Sequence, residues 1–583
     1  MTSKKQESAN HFEQEILRAR EALGRNFQPI TKNLGLLLAE NAQRFPDRTL
    51  LSYYDDDRNI ERHLTWHDAA ERVAQTAGFM KEAGVGYGDR VAFLIGNLDH
   101  TLVLYLATWC LGASVAPINA GEDFDRKSFI TENSGARLLF ARSDYLDEAK
   151  RLAALHGLRL IVVKNEDEEP VDDPSLYHYP ALLSESLHID LEDADFEGEG
   201  TEALLIYTSG TTGAPKGVRV DQRNIMADAA GMAEWHGWDD GLRMMCVLPV
   251  HHVNGIVVTL ATPLYLGGTM VLNQRFNSST FWKRVDEESV QVVSVVPTLL
   301  EFLIGAESRA PEAQRFSTYD TGTLETILCG AGPLLVDTVL DFEKRFGVRI
   351  THGYGLSETT CYNCHMPPDI DREARHRWYS EHGFPSIGVP LPYQDMGVLG
   401  PDGDMLEPGQ RGELSVRGEC ISLGYDKRPD ANAESFQGGW FRSGDEGFYL
   451  LDEKGRRFFF ITGRLKELII RGGVNYSPLE IDEVLKRHPA VEAALSLPFA
   501  NRFYGEEVAA YVVLKEGHAL EAEALIDHCC AHLEYSKSPK VIVFGTDIPY
   551  TTTGKPQRIE LARQLAGELE QHRDTQFRRR NKA

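Results

Sequence analysis

The sequence predicts a mixed α/β protein, with a large amino-terminal domain of several subdomains followed by a small α+β domain. Up to about Phe346, amphipathic helical stretches alternate with short apolar runs, a pattern typical of largely parallel sheets. Beyond Gly383, short strands broken by glycine and proline turns indicate a small antiparallel subdomain. After Arg464 the remaining segment of about 115 residues has the size of one further domain.

The individual elements follow from the spacing of apolar residues. Residues 66–83 predict an amphipathic helix and residues 90–95 an apolar strand. The uncharged run 101–119 approaches the length of a membrane span, but Gly112 and Pro117 interrupt it and basic flanks are absent, so we expect a buried helix that leads into a strand. In the last domain we expect helices over 478–487, 520–533 and 559–570, and strands over 492–497, 508–514 and 540–544.

Residues 1–33 are predicted to form a helical extension, because apolar residues recur in them at helical spacing. These apolar positions are Phe12, Ile16, Ala19 and Leu23. Two interpretations of the extension stay open from the sequence. It either caps the body of the protein or makes subunit contacts, as in a homodimer.

Composition excludes several classes of partner. The chain has 583 residues and a formal net charge of -26, which opposes binding to nucleic acid or to an anionic membrane surface. The one basic cluster, residues 578–582, is expected to be a solvated tail. Eight cysteines without regular spacing, and a polar start without a signal peptide, predict a cytoplasmic protein without disulfides.

The stretch from Tyr207 to Gly217 has the composition of a loop that wraps a triphosphate. Glycines allow backbone N–H groups to approach an anion, hydroxyls donate further hydrogen bonds, and a lysine adds positive charge. It is not a Walker A loop, because Pro215 and Gly217 flank the lysine. Taken alone, the loop is also compatible with a plain turn between strands over 203–207 and 217–220. The candidate phosphate-binding residues are Thr208, Ser209, Gly210, Thr211, Thr212, Gly213 and Lys216.

This loop resembles the phosphate-binding signature of the adenylate-forming (ANL) superfamily, which includes acyl-CoA synthetases, adenylation domains of peptide synthetases, and luciferases. Further motifs match that family in the same order, from about Leu34 to about Leu565. The resemblance implies ATP and Mg²⁺, with CoA as co-substrate. It also implies a division into an adenylation domain over 34–464, which holds the ATP and acyl pockets, and a mobile lid over 465–583.

The resemblance assigns roles in the nucleotide site. Glu358, in the run from His352 to Thr360, matches the magnesium carboxylate, and Thr208 is a second candidate at the metal. Asp445 matches the ribose-binding aspartate, and Arg464 matches the arginine that reaches ribose and phosphate. The other candidates beside the nucleotide are Gly330, Ala331, Gly332, Gly353, Tyr354 and Gly355.

The resemblance also implies a two-step mechanism with a moving lid. Lys555 is the predicted catalytic lysine, whose ammonium would bridge the carboxylate and the α-phosphate during adenylation. Lys466 occupies the hinge position about which the lid would rotate for the second step. Gly472 and Gly473 would then lie beside the pantetheine of CoA, where a side chain would narrow the tunnel.

The predicted acyl pocket includes His252, Val253, Asn254, Gly330 and Gly355. His252 matches an aromatic gate beside the pocket and is counted with Lys555, Glu358 and Thr208 as catalytic, although a histidine in an apolar run is also compatible with a core role. Gly355 stands where acetyl-specific relatives have a tryptophan, which implies an acid longer than acetate.

Residues 361–365 also match the C-x-x-C-H haem-attachment pattern. Covalent attachment of haem normally requires export, which the amino terminus does not support. Because these residues closely follow Glu358 in the sequence, we expect some of them to border the acyl pocket instead.

The predicted function is that of an AMP-forming ligase that joins a carboxylic acid to CoA. Three alternatives remain from the sequence: an enzyme that loads the pantetheine of a separate carrier protein, a luciferase-like oxygenase, and a catalytically silent nucleotide-binding module. The identity of the acid stays open among aryl, branched, short-chain and polar acids.

Overall fold

The protein folds around three β-sheets. A computed structural model describes residues 2–24, 26–164, 177–180, 183, 188–208, 215–550 and 556–578. The helices in these residues are α1 (Thr2–Glu21), α2 (Leu34–Arg44), α3 (Trp66–Glu82), α4 (Thr101–Cys110), α5 (Phe124–Ser134), α6 (Leu146–His156), α7 (Gln222–His236), α8 (Thr262–Leu266), α9 (Phe281–Glu287), α10 (Pro297–Arg309), α11 (Val336–Phe346), α12 (Arg372–Ser380), α13 (Pro429–Ser435), α14 (Pro478–Lys486), α15 (Ala522–His532) and α16 (Arg558–Leu569).

The strands follow the same chain order. They are β1 (Thr49–Asp55), β2 (Ile60–Thr65), β3 (Arg90–Leu94), β4 (Ser114–Pro117), β5 (Leu138–Arg142), β6 (Arg159–Val163), β7 (Tyr177–Tyr179), β8 (Glu202–Thr208), β9 (Lys216–Asp221), β10 (Arg243–Cys246), β11 (Thr269–Asn273), β12 (Val292–Val295), β13 (Thr326–Cys329), β14 (Ile350–Gly355), β15 (Tyr362–His365), β16 (Ser386–Pro390), β17 (Gln394–Leu399), β18 (Gly412–Gly418), β19 (Phe436–Gln437), β20 (Trp440–Leu451), β21 (Arg457–Arg464), β22 (Ile469–Arg471), β23 (Val474–Tyr476), β24 (Val491–Asn501), β25 (Gly505–Leu514) and β26 (Val541–Gly545).

Two large sheets form the amino-terminal part. One has the order β7-β6-β5-β3-β4-β8-β9, and its pairs are parallel up to β8, with β9 antiparallel at the end. The other has the order β17-β18-β20-β21-β16-β15-β14-β13-β12-β10-β11-β1-β2, with β19 paired to β20. In this second sheet the strands from β1 to β14 along the path β1-β11-β10-β12-β13-β14 are parallel, which confirms the predicted α/β class.

The predicted antiparallel subdomain is present, but its strands continue the parallel sheet. Strand β15 pairs antiparallel with β14, and β16 pairs with β15, so the antiparallel strands extend the same hydrogen-bonded surface. The sequence pattern gave no sign of this connection, because it depends on pairing between strands and not on the residues within one strand.

Buried aromatic side chains connect the sheets across one apolar core. Trp109 on α4 donates from Nε1 to the carbonyl of Ala203 in β8 at 2.9 Å. Tyr105, on the same helix, donates to the carbonyl of Val250 at 2.7 Å, in the segment that follows β10. Each ring buries a large apolar surface while its polar atom finds a partner, so α4 fixes the first sheet against the second.

The predicted elements are confirmed in type. The helix at 66–83 is α3, the strand at 90–95 is β3, and the run 101–119 contains α4 and then β4. The helices and strands expected in the last domain correspond to α14, α15, α16, β24, β25 and β26. Within the described residues, no helix combines the length and apolar character needed to cross a membrane.

Helix α1 packs on the antiparallel strands. Ile16 and Ala19 are buried in a cluster with Phe436 and Phe441, and Arg20 pairs with the buried Asp221 at 2.5 Å. The helix thus covers part of the body of the protein, as in the first interpretation, and the second, subunit contacts, stays a prediction.

The small carboxyl-terminal sheet has the order β23-β22-β25-β24, with β26 paired to β25. A buried ion pair joins two of its helices: Arg558 at the start of α16 donates to Asp482 on α14 at 2.6 Å. Asp482 also accepts from the backbone N–H and the hydroxyl of Ser496 in β24. Three elements thus meet at one carboxylate that is almost inaccessible to water.

Asp482→Ala should destabilise the carboxyl-terminal domain by about 3 kcal/mol, since it leaves the Arg558 guanidinium buried without its partner. Glu483→Ala on the same helix removes a partly exposed pair with Arg487 and should cost less than about 1 kcal/mol. Hydrogen exchange of the β24 amides in the full chain measures both. Equal protection in the two variants would show that the buried pair does not stabilise the domain.

Candidate active site

The candidate site lies where parallel strands end. Thr208 ends β8, the glycine-rich residues 330–332 follow β13, and Glu358 follows β14 in a turn formed by Ser357–Thr359. Ligand sites of open α/β sheets lie at the carboxyl ends of their strands. The sheet therefore gathers motifs that are far apart in the sequence.

The two ends of the predicted phosphate loop are held by strand pairing. Thr208 in β8 is the register partner of Lys216 in β9, and the Thr208 hydroxyl lies 3.5 Å from the carbonyl of Lys216. The candidates Ser209, Gly210, Thr211, Thr212 and Gly213 lie outside the described residues. Their role as phosphate ligands stays a prediction.

A partly buried charge network supports these strands. Arg90 donates to Glu202 at 2.7 Å and to Asp426 at 2.9 Å, and Arg219 in β9 donates to the same glutamate at 2.7 Å. The network thus connects β3, β8, β9 and the segment around Asp426. Such bidentate, charge-assisted hydrogen bonds are geometrically specific, so they fix the base of the loop.

Tyr425 brings the candidate phosphate lysine and the candidate metal carboxylate together. Its hydroxyl donates to Glu358 Oε1 at 2.8 Å, and the Lys216 ammonium lies 4.8 Å from the centroid of its ring. Burial, and then the charge of Glu358, raise the pKa of Tyr425 above its usual range, so the hydroxyl stays protonated and donates.

Asp445 is the centre of a second polar cluster. The Tyr354 hydroxyl donates to its Oδ2 at 2.7 Å, and Arg464 Nε lies 3.1 Å from its Oδ1. Asp445 and Arg464 are register partners in β20 and β21, which explains their proximity. The charge of Asp445 raises the pKa of Arg464, and burial raises that of Tyr354 well above its usual value.

Backbone packing accounts for the glycines of β14. A Cβ on Gly355 would lie 1.5 Å from the carbonyl oxygen of Cys361, and a Cβ on Gly353 would lie 2.3 Å from the His365 ring. The absence of a side chain at Gly355 is therefore required by the approach of residues 361–362. For this reason the glycine does not by itself indicate a longer acyl pocket, and the inference of an acid longer than acetate stays a prediction.

Two residues beside the site have strained backbone conformations. Ala331 has φ of 65° and Thr360 has φ of 70°, in a region that residues with a Cβ seldom adopt. The Thr360 hydroxyl donates to the carbonyl of Cys420 at 2.7 Å, which helps to hold this conformation. Strain of this kind is common where a binding site is preorganised.

The candidate acyl pocket contains a connected set of polar groups. Asn254 begins a π-helical segment (Asn254–Ala261), accepts from the Ser294 hydroxyl at 2.7 Å and lies 3.2 Å from the Tyr362 hydroxyl. A Cβ on Gly330 would lie 2.8 Å from the same tyrosine ring. Tyr362 therefore occupies the space between Gly330 and Asn254.

His252 and Val253 lie in the turn before this π-helical segment and are partly buried. The ring of His252 packs against His251 at 4.4 Å between centroids, and burial lowers the pKa of His251 to about 4. A neutral imidazole is thus expected at residue 251 near neutral pH. The gate role of His252 stays a prediction.

The C-x-x-C-H residues belong to the protein core. Cys361, Cys364 and His365 are all buried, and burial raises the pKa of both thiols. His365 hydrogen-bonds to His236 at 2.9 Å. The contact between Tyr362 and Asn254 agrees with the expectation that this segment borders the predicted acyl pocket.

The predicted CoA glycines lie in an exposed turn of the carboxyl-terminal sheet, and their role beside the pantetheine stays a prediction. Gly472 and Gly473 form the turn between β22 and β23, both with positive φ, and a Cβ on Gly473 would meet no atom within 4 Å. Lys466 forms an exposed pair with Glu434 at 3.4 Å. Lys555 lies outside the described residues.

Sequence reasoning missed Tyr425 and Ser294. Tyr425 reaches Glu358 across 67 positions, and Ser294 reaches Asn254 across 40. Neither residue belongs to a motif that spacing alone identifies. The strand-like pairing of residues 423–426 with β9 is the structural signal that reveals the first of them.

Comparison with known proteins agrees with this geometry. The family described as AMP-binding enzyme matches residues 38–426, and the AMP-binding enzyme C-terminal domain matches residues 480–555. The sulfoacetate–CoA ligase of Cupriavidus necator is 33% identical over 91% of this chain and 97% of its own length. The long-chain-fatty-acid–CoA ligase of Bacillus subtilis is 29% identical over 93% of this chain and 95% of its own.

Solved structures show the same fold. ATP-bound MatB from Rhodopseudomonas palustris superimposes with a TM-score of 0.79 at 24% identity, over 92% of this chain and 99% of its own. The o-succinylbenzoate CoA synthetase of Bacillus subtilis, in complex with ATP and magnesium ion, has a TM-score of 0.74 at 27% identity, over 90% and 98%.

The chain therefore belongs to the AMP-binding enzyme family. This confirms the predicted superfamily. It also confirms the predicted class, an ATP-dependent, AMP-forming acid:CoA ligase.

Gly355→Ala should lower the stability of the amino-terminal domain by about 3 kcal/mol and reduce ligase activity at least about tenfold, because its Cβ would displace residues 361–362. Gly305→Ala on α10 is the control, since its Cβ would approach no atom closer than 3.7 Å and alanine favours a helix. Thermal unfolding and steady-state rates measure both. Wild-type behaviour of Gly355→Ala would show that the close approach is not required.

Proposed function

We propose that this ligase activates a short carboxylic acid that carries a second polar group, and transfers it to CoA. The observation that supports the nucleotide half of this proposal is the contact chain Lys216–Tyr425–Glu358, which sets a cation and a carboxylate side by side at the end of the phosphate loop. The observation that supports the acid is the polar set in the candidate pocket.

The nucleotide would bind across two clusters. Lys216 would contact phosphate oxygens, and Asp445 would accept hydrogen bonds from the ribose hydroxyls while Tyr354 and Arg464 orient it. The Glu358 carboxylate suits Mg²⁺, which is commonly bound by one or two carboxylates together with substrate phosphates. When bound, Mg²⁺ would offset negative charge on the phosphates.

Two bond exchanges complete the reaction. In the first, a carboxylate oxygen of the acid attacks the α-phosphorus of ATP, and the bond from that phosphorus to the leaving pyrophosphate breaks. The Lys555 ammonium would stabilise the charge that builds on these oxygens. In the second, the CoA sulfur attacks the acyl carbon, the bond to AMP breaks, and the thiol proton is released.

The second step requires a different arrangement of the small domain. Lys466 is proposed as the hinge, because its pair with Glu434 is exposed and costs little to break. Rotation about it would bring Gly472 and Gly473 toward the acyl-adenylate. We take the boundary between residues 464 and 465 as the limit of the moving part.

A short polar acid is favoured by the contents of the candidate pocket. Asn254, Ser294 and the Tyr362 hydroxyl form a hydrogen-bonded set, whereas a long alkyl chain would need an apolar tunnel. The Tyr362 ring, close to Gly330, also limits the depth of the pocket. The related sulfoacetate–CoA ligase acts, by its name, on a small acid with a second polar group.

We also infer a cytoplasmic location. All eight cysteines are free thiols in the structure, as expected in a reducing compartment.

The test of the substrate class is AMP release with ATP and Mg²⁺ across a panel of acids, each with and without CoA. Sulfoacetate, a dicarboxylate and a hydroxy acid represent the proposed class, and acetate, octanoate and benzoate represent the others. We expect the highest kcat/KM within the first group, with the thioester detected by mass spectrometry. A preference for octanoate or benzoate would contradict the proposed substrate class.

Lys555→Ala should lower acid-dependent pyrophosphate exchange by about 10² to 10³, because it removes charge stabilisation in the adenylation transition state. Thioester formation from supplied acyl-adenylate and CoA should change only a few-fold. Lys515→Ala, an exposed lysine of the same domain, is the control and should keep both activities. An equal loss in the two half-reactions would contradict the proposed role of Lys555.

A further inference from the structure

Backbone hydrogen bonds hold Tyr425 against β9, the strand that follows the phosphate loop. It forms an antiparallel bridge with Val218 of β9, and the residues on either side of it complete the pairing. The backbone N–H of Arg219 donates to the Gly424 carbonyl at 3.0 Å, and the backbone N–H of Asp426 donates to the Gly217 carbonyl at 2.8 Å. Residues 423–426 therefore act as a short additional strand at the edge of the first sheet.

The side chain of Asn432 fixes the same residue from the other direction. Its Oδ1 accepts from the Tyr425 N–H at 2.7 Å, and its Nδ2 donates to the Tyr425 carbonyl at 3.0 Å. Asn432 is itself buried on α13. With its N–H and carbonyl both bonded and its ring only 6% exposed, Tyr425 has little freedom to reorient.

The same segment holds Glu358 at two points. The Ser422 N–H donates to the carbonyl oxygen of Glu358 at 3.0 Å, and the Tyr425 hydroxyl donates to its carboxylate Oε1 at 2.8 Å. Hydrogen bonds from residues 422–425 thus fix both the backbone and the side chain of Glu358. The Tyr425 hydroxyl bonds to Oε1, which restricts the rotamer of Glu358 and therefore the direction of Oε2.

The face of the Tyr425 ring contacts a second charged group. Lys216 Nζ lies 4.8 Å from the ring centroid, within the range of a cation–π interaction. A lysine has four rotatable side-chain bonds, and this contact restricts them without using any N–H donor. The ammonium would present its N–H donors to phosphate oxygens.

We propose that Tyr425 is a positioning residue for the metal-bound nucleotide: its hydroxyl orients the Glu358 carboxylate toward a divalent cation, and its ring holds Lys216 toward the phosphates of ATP. The inference deepens the proposed function and depends on it for the identity of the ligand. It concerns the nucleotide half of the reaction only, so the acid and CoA sites are not involved.

Tyr425→Phe removes the hydroxyl and keeps the ring. Because a hydrogen bond to a charged group is lost, we expect the Mg²⁺ concentration for half-maximal pyrophosphate exchange to rise about tenfold. The KM values for acid and CoA, and thioester formation from supplied acyl-adenylate, should stay within twofold. Tyr425→Leu also removes the ring and should raise the KM for ATP further.

The chain offers a matched control. Tyr393 also donates its hydroxyl to a glutamate, Glu234, at 2.6 Å, and this pair is exposed and outside the site. Tyr393→Phe should leave the Mg²⁺ dependence unchanged. If Tyr425→Phe left it unchanged as well, or lowered both half-reactions equally with a loss of thermal stability, Tyr425 would be a core residue only and the proposal would be wrong.

A double-mutant cycle tests the route through Glu358. In a Glu358→Gln background, Tyr425→Phe should add less than twofold to the Mg²⁺ requirement, because the carboxylate it orients is absent. Full additivity of the two effects would contradict the proposal.

Calorimetric titration of each variant with ATP at several Mg²⁺ concentrations separates this inference from the proposed function. The binding measurement requires neither an acid nor CoA. If the wild type binds Mg²⁺ and ATP but activates no acid of the panel, the substrate proposal fails. The ATP titrations of the Tyr425 variants still test the positioning role in that case. If the wild type binds ATP equally well with and without Mg²⁺, the positioning role is overturned directly.

Discussion

The pairing of β9 with residues 423–426 is the constraint on which the candidate site depends. The strand begins at Lys216, directly after the phosphate loop, and the paired segment carries Tyr425 and Asp426. The Tyr425 hydroxyl donates to Glu358. Asp426 accepts from Arg90 and so joins the network of Arg90 and Glu202. A few backbone hydrogen bonds thereby set the relative positions of groups from four distant parts of the chain.

The charge network behind this pairing adds ion pairs to the backbone hydrogen bonds. Arg90 is paired with two carboxylates and Arg219 with one of them, so the charges at this depth are compensated. Removing a single member would leave the opposite charge without its partner at a partly buried position, which would weaken the pairing. The base of the loop is therefore rigid by electrostatics as well as by strand pairing.

Contacts inside the carboxyl-terminal domain are more buried than the contact that Lys466 makes at its border. In the carboxyl-terminal domain, Arg558 binds Asp482 in the interior and lies 3.5 Å from Glu467, the neighbour of the proposed hinge residue. The contact from Lys466 to Glu434, by comparison, is exposed on both sides. A buried hydrogen bond from the Ser477 hydroxyl to the Thr462 carbonyl also crosses this border, so rotation of the domain as a unit would have to keep or replace it.

Much of the fold is visible in the sequence, because periodicity reports what each strand or helix buries. It predicted α3, β3, α4 and the elements of the last domain. The resemblance of the motifs singled out Glu358, Asp445 and Arg464, and the structure places the last two side by side, while their roles stay predictions. What the sequence does not contain is pairing between distant segments, so Tyr425 and Ser294 were missed, and so was the close approach of Cys361 to Gly355, which leaves no space for a side chain there.

The left-handed conformations of Ala331 and Thr360 have a consequence for how this sequence can change over time. Glycine at position 360 would relieve local strain but would also remove the hydroxyl that donates to Cys420, whereas glycine at position 331 would relieve strain without losing such a bond to a side-chain hydroxyl. It would also let the backbone beside the nucleotide site sample other shapes, at a cost in preorganisation. Selection for heat resistance and selection for turnover would therefore act in opposite directions on Ala331.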